Sequence, residues 1–92
     1  MININFKTPK ELGKTIALNM RGRRNSRKLS LKRLSEMSGV SYGSMKRFES
    51  SGEISLISLL KVAVVLECTG EFLQLFAGAE PQSIQEIING KL

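Results

Sequence analysis

The chain has no histidine and no aspartate; all eight of its acidic residues are glutamates. Without these residue types there can be no Ser-His-Asp triad, no Cys-His nucleophile pair and no histidine-ligated metal. A single cysteine, Cys68, excludes an internal disulfide and any zinc site needing several thiolates. Long apolar runs are missing too. The longest, Ile54 to Leu66, is interrupted by Ser55, Ser58 and Lys61. It falls short of the roughly 20 residues that cross a bilayer. Residues 1–7 contain no apolar stretch of the signal-peptide kind. These absences favour a binding module over an enzyme, with neither metal nor cofactor and no membrane partner. With a lone unpaired thiol they predict a cytoplasmic protein.

What remains is a basic chain of 92 residues, with 14 Lys and Arg against 8 Glu and a net charge of +6. This length predicts one domain, residues 1–92, with a compact core. The charge is uneven along the sequence. Residues 7–47 hold twelve basic groups against Glu11 and Glu36, which gives 12 − 2 = +10. Residues 48–92 hold Lys61 and Lys91 against six glutamates, which gives 2 − 6 = −4. Such a division predicts two surfaces with two partners, the basic one suited to a polyanion.

The punctuation predicts an all-α fold of five or six helices. Residues 2–6 alternate and fit either a short strand or an ordered arm. Thr8, Pro9 and Glu11 form a helix start with a capping box. The helix that follows carries Leu12, Ile16 and Met20 on one face and runs into the basic cluster at Arg24 to Arg27. Ser30 caps a second helix, which stops at Gly39. Ser41 caps a third, which ends at Ser50-Ser51-Gly52. Ser55 caps a fourth over 56–67, apolar nearly all round and therefore expected at the centre of a bundle. A short fifth helix is expected over Glu71 to Ala77. Ser83 and Glu86 open a terminal one with Ile84, Ile87 and Ile88. Met20, Met37, Met45 and Cys68 are expected to pack rather than react.

The stretch Leu31 to Phe48, LKRLSEMSGVSYGSMKRF, carries the functional signal. Two short helices meet at a glycine, with the small Ser35 four positions before it, as a tight crossing requires. Leu34, Val40, Met45 and Phe48 then face the core. Tyr42, Gly43, Lys46 and Arg47 are left on the outer face of the second helix, free to enter a DNA major groove. Arg47 or Lys46 can donate to guanine O6 and N7. Tyr42 can pack on a thymine methyl or donate to phosphate. The helix N-termini at Ser30 and Ser41 suit phosphate, and the basic string Arg21 to Lys28 can grip the DNA backbone beside them.

Over about residues 10–78 the sequence resembles the Cro/lambda-repressor (Xre) helix-turn-helix family. The residues that carry the resemblance are Leu29-Ser30, Leu34, Gly39, Val40-Ser41, Met45 and Phe48-Glu49 with its glycine turn, then Leu59 to Ala63. GVSYGSMKRFESSGEISLISLLKVA, with the trailing SIQEII, is similar to HipB-like antitoxins, which accompany a HipA-like kinase toxin. The resemblance implies a lambda-repressor-like bundle with its helix-turn-helix at about 30–50. It implies a repressor that binds double-stranded DNA as a homodimer on a palindromic operator. Ser41 to Arg47 would form the recognition helix, with Tyr42, Gly43 and Arg47 near base edges and Ser41 and Ser44 near phosphates. Ser30, Lys32, Arg21, Arg27 and Lys28 complete the expected DNA contacts. The family further implies that Arg24 pairs with Glu49.

The chain departs from the family at four places. It has Leu31 and Gly43 where long polar residues are common, Ser35 where alanine is usual, and Ser38 where an apolar residue is usual. Leu31 and Gly43 keep a second reading open: a protein-interaction module with the same fold and weak DNA binding. The C-terminal segment, about 70–92, is expected to form a dimer or partner surface through Phe72, Leu75, Phe76, Ile84, Ile87 and Ile88.

Overall fold

The structure is a computed structural model and describes residues 8–78 and residue 90. Every regular element among them is a helix: α1 (Pro9–Ser26), α2 (Leu31–Ser38), α3 (Tyr42–Ser51), α4 (Leu56–Val65) and α5 (Thr69–Phe72). The expected strand or arm at 2–6 and the expected helix at Ile84, Ile87 and Ile88 lie outside the described residues.

Local chemistry starts the four longer helices. Thr8 Oγ1 accepts from the Glu11 amide, and Glu11 Oε1 accepts from the Thr8 amide, closing the capping box. Ser30, Ser41 and Ser55 each accept from the amide three residues on. The helix ends use two devices. Gly39 and Gly52 take the left-handed conformation after α2 and α3. After α1 and α4 the same position is held by Lys28 and Glu67, at φ 58° and 57°. There the amides of Leu29 and Cys68 reach back to the carbonyls of Arg24 and Ala63, so the turn is closed without glycine. Glu67 therefore stops α4 at Val65, two residues before the expected end. Phe76, also at positive φ, lies in the run of turns that follows α5, so the expected helix over 71–77 is limited to Thr69–Phe72.

The core is Ala17, Met20, Leu34, Val40, Met45, Phe48, Val62, Ala63 and Leu66, all buried. Each large side chain there contributes roughly 1.5–3 kcal/mol through burial. α3 packs on α1 and α2, and α4 packs on α2 and α5. Leu34, Val40, Met45 and Phe48 occupy the core positions their spacing predicted.

Three expectations about faces need correction. α1 turns Ala17, Met20 and Arg24 inward, while Leu12 and Ile16 are nearly half exposed. The reason is Gly13: a side chain there would collide with the Gly52 carbonyl oxygen. The helix thus meets the turn after α3 backbone to backbone, and that close approach selects its inner face. α4 is not enclosed by other helices among the described residues: Leu56, Ile57 and Val64 are exposed. Met37 is exposed rather than packed, unlike Met20 and Met45. Cys68 is half-buried against the core.

A candidate nucleic-acid interface

The turn between α2 and α3 is held by serine hydroxyls. Buried Ser35 Oγ donates to the Val40 carbonyl at 2.6 Å. Ser38 Oγ donates to the Ser35 carbonyl at 3.3 Å and accepts from the Val40 amide at 3.2 Å. The two serines therefore tie both ends of a bend that alanine and an apolar residue would leave to packing alone. Ser35→Ala is expected to destabilise the domain by about 1–2 kcal/mol, because it strands a buried carbonyl. A urea midpoint equal to that of the parent chain would contradict this.

α3 has two distinct faces. Met45 and Phe48 are buried, while Ser41, Tyr42, Gly43, Ser44, Lys46, Arg47 and Ser50 are exposed. Lys46 Nζ lies 5.7 Å from the Tyr42 ring centroid, one helical turn away. A contact of this kind contributes about 0.5–1 kcal/mol at an exposed site and orders both side chains. Ser41 Oγ accepts from the Ser44 amide and donates to Ser44 Oγ, so the cap couples these two hydroxyls. Gly43 has open space where a Cβ would stand, which leaves the backbone approachable. The first amides of α2 and α3 point out of exposed helix ends, an arrangement that favours anions.

The cations expected to meet DNA are not equally free. Arg24 is only 9% exposed. Its Nη1 donates to the Leu29 carbonyl at 2.9 Å, and its Nη2 donates to Glu49 Oε2 at 3.3 Å. Arg21 Nε stands 3.9 Å from the other Glu49 oxygen. Arg27 donates to the Val65 carbonyl at 3.4 Å and to Glu67 at 3.0 Å, which ties the end of α1 to the C-terminus of α4, where a cation is favourable. Arg23 pairs with Glu71. That hydrogen bond first, and the carboxylate's charge second, raise the Arg23 pKa above its ordinary value. Arg47 Nη2 donates to Glu53 Oε1 at 2.6 Å.

Among the described residues the basic and acidic halves of the sequence therefore interlock rather than form two separate surfaces. Glu49, Glu53, Glu67 and Glu71 all sit against arginines of the first half. Lys28, Lys32 and Lys46 are exposed, as is the Ser30 cap. At the other end, Phe72 is half-buried, whereas Leu73, Leu75 and Phe76 are exposed, Phe76 fully. Among the described residues no group of three or more cysteines and glutamates could hold a metal ion. None of the helices described is long and apolar enough to cross a membrane.

No family model matches the chain, and neither a curated protein nor a solved structure matches it.

Proposed function

We propose that the chain is a sequence-specific DNA-binding repressor of the lambda-repressor-like type, with α3 as the recognition helix. One observation carries this reading: a ten-residue helix buries Met45 and Phe48 and presents Tyr42, Gly43, Lys46 and Arg47 together on an open face. Its own N-terminus and that of α2, each exposed and serine-capped, would supply phosphate contacts. An α-helix is the element that a major groove admits, and Arg and Lys are the side chains that read guanine there. Lys28 and Lys32, the cations of the neighbouring segment without a described ionic partner, would grip the DNA backbone. Arg21 would contribute from the rim of the Glu49 pair. Arg27 is better placed as a helix-end clamp.

The reading includes a homodimer on a palindromic operator. Two recognition helices about one DNA turn apart, roughly 34–36 Å, multiply affinity and specificity. The exposed Leu73, Leu75 and Phe76, with the outer face of α4, supply apolar surface for a second copy or for a protein partner. A HipA-like kinase toxin is the partner that the sequence resemblance implies. The same apolar surface favours the second reading, an interaction module with weak DNA binding.

Replacing Lys46 and Arg47 together by alanine separates the two readings. Each direct base contact is worth about 1–3 kcal/mol. The double variant is therefore expected to bind duplex DNA at least about tenfold more weakly, with Tm lower by only about 2–8 °C from loss of the Lys46–Tyr42 contact. Equal affinity for parent and variant would remove α3 from the interface.

A further inference from the structure

The ion pair between Arg47 and Glu53 is more than a loose surface contact. Both side chains are well exposed, and pairs of that kind are usually weak. Here the carboxylate grows from an anchored turn. The Glu53 amide donates to Ser51 Oγ at 3.2 Å, and Ser51 Oγ donates to the carbonyl of Arg47 itself at 2.7 Å. Gly52, between them, is wedged against the backbone of Gly13 and Lys14. The guanidinium and its carboxylate thus spring from the two ends of one short relay. They line a cleft of about 370 Å³ together with Ser44, Ile54, Ser55 and Ser58.

We propose that Glu53 is a specificity-determining residue that steers Arg47 from phosphates to a base edge, an inference that rests on the DNA-binding reading. A guanidinium carries five N–H donors. One is committed to Glu53, which leaves the others for a partner. A phosphate also accepts those donors, but it brings a second negative charge beside the Glu53 carboxylate. Gripping it exchanges one anion for another or brings two anions together, and little affinity is gained. A guanine edge offers two neutral acceptors, O6 and N7, which the remaining donors can meet with the Glu53 pair intact. The carboxylate therefore penalises the contact that every sequence offers and spares the one that only some sequences offer. Specificity is a difference of this kind. Glu53 acts through Arg47 and is a positioning residue.

The test uses the full chain and fluorescence anisotropy. Parent, Glu53→Gln, Arg47→Ala and the double variant are titrated onto a random-sequence duplex two turns long. They are also titrated onto a duplex selected by the parent from a random library. Glu53→Gln frees Arg47 for one phosphate per protomer. That raises affinity for the random duplex about eightfold per protomer at about 0.1 M salt and steepens the log K against log salt slope by about 0.9 per protomer, about 1.8 for the dimer. Affinity for the selected duplex rises less, so the ratio of selected to random binding falls. In the Arg47→Ala background the same substitution leaves the slope unchanged. An equal gain with and without Arg47 would overturn the proposal while leaving DNA binding intact. Failure of the parent and every variant to bind either duplex would overturn both.

Discussion

Gly52→Ala is expected to cost the domain about 3–4 kcal/mol, read as a lower urea midpoint with an unchanged slope. Two independent terms add. Gly52 has φ +81°, where an L side chain costs about 1–2 kcal/mol. The new Cβ would also stand 2.5 Å from the Lys14 nitrogen and 2.6 Å from the Gly13 carbonyl carbon. Both are backbone atoms of α1 and cannot rotate aside, so the helix must move from the turn or the turn must open. For a chain of this length total stability is roughly 5–14 kcal/mol, so the loss is a large fraction of it. Gly39→Ala is the control. Its φ is +78°, but nothing lies within 4 Å of the added atom. It should show the backbone cost alone, about 1–2 kcal/mol. Equal midpoints for the two variants would mean that α1 and the turn do not meet backbone to backbone. Because Glu53 follows directly, the same contact also fixes the carboxylate beside Arg47.

Glu49→Ala is expected to cost about 2–4 kcal/mol, less than the 3–5 of a fully buried pair because the Glu49 side chain keeps 14% of its exposure. Arg24 is the reason. It stays almost fully buried, its Nε has no partner, and without Glu49 its charge is held only by the Leu29 carbonyl. In a domain this small the loss lowers Tm by roughly 8–32 °C, at about 4–8 °C per kcal/mol. Replacing both partners, as Arg24→Met with Glu49→Leu, should recover most of it, because no buried charge remains. If the double replacement is as unstable as Glu49→Ala, the cost arises from lost packing and not from a stranded guanidinium. The pair joins α1 to the end of α3, so the single variant should also loosen the reading face. Its duplex affinity should fall further than lost stability explains.

The parts of the fold that sequence made legible are those decided within one turn of chain. A serine or threonine three residues before an amide can bond it whatever the rest of the molecule does. Thr8, Ser30, Ser41 and Ser55 therefore marked their helices correctly, and Gly39 and Gly52 marked two ends. Lys28 and Glu67 left no such mark, because they adopt a glycine-like conformation without being glycine. The inner face of α1 was hidden for another reason. Apolar spacing pointed to Leu12 and Ile16, but the close packing is made by the missing side chain of Gly13. α4, apolar on every side, carried no signal of which side would stay open. The site was legible where it depends on one helix: Tyr42, Gly43, Lys46 and Arg47 share a face by periodicity alone. The charge pattern was not legible, because pairing is decided in space. Arg27 and Glu67 are 40 residues apart. The one pair expected, Arg24 with Glu49, is present, but it is implied by the family resemblance and not by the charge pattern. Among the described residues the division into a basic and an acidic half is therefore a property of the sequence and not of the surface.

The salt dependence of duplex binding tests the central claim most directly. The unmodified chain is titrated onto a random-sequence duplex at several salt concentrations, and log K is plotted against log salt. A dimer that neutralises about five phosphates per protomer gives a slope near −9. A slope near zero, or no binding at low salt, would contradict DNA recognition by the α3 face and leave the exposed apolar surface as the functional one.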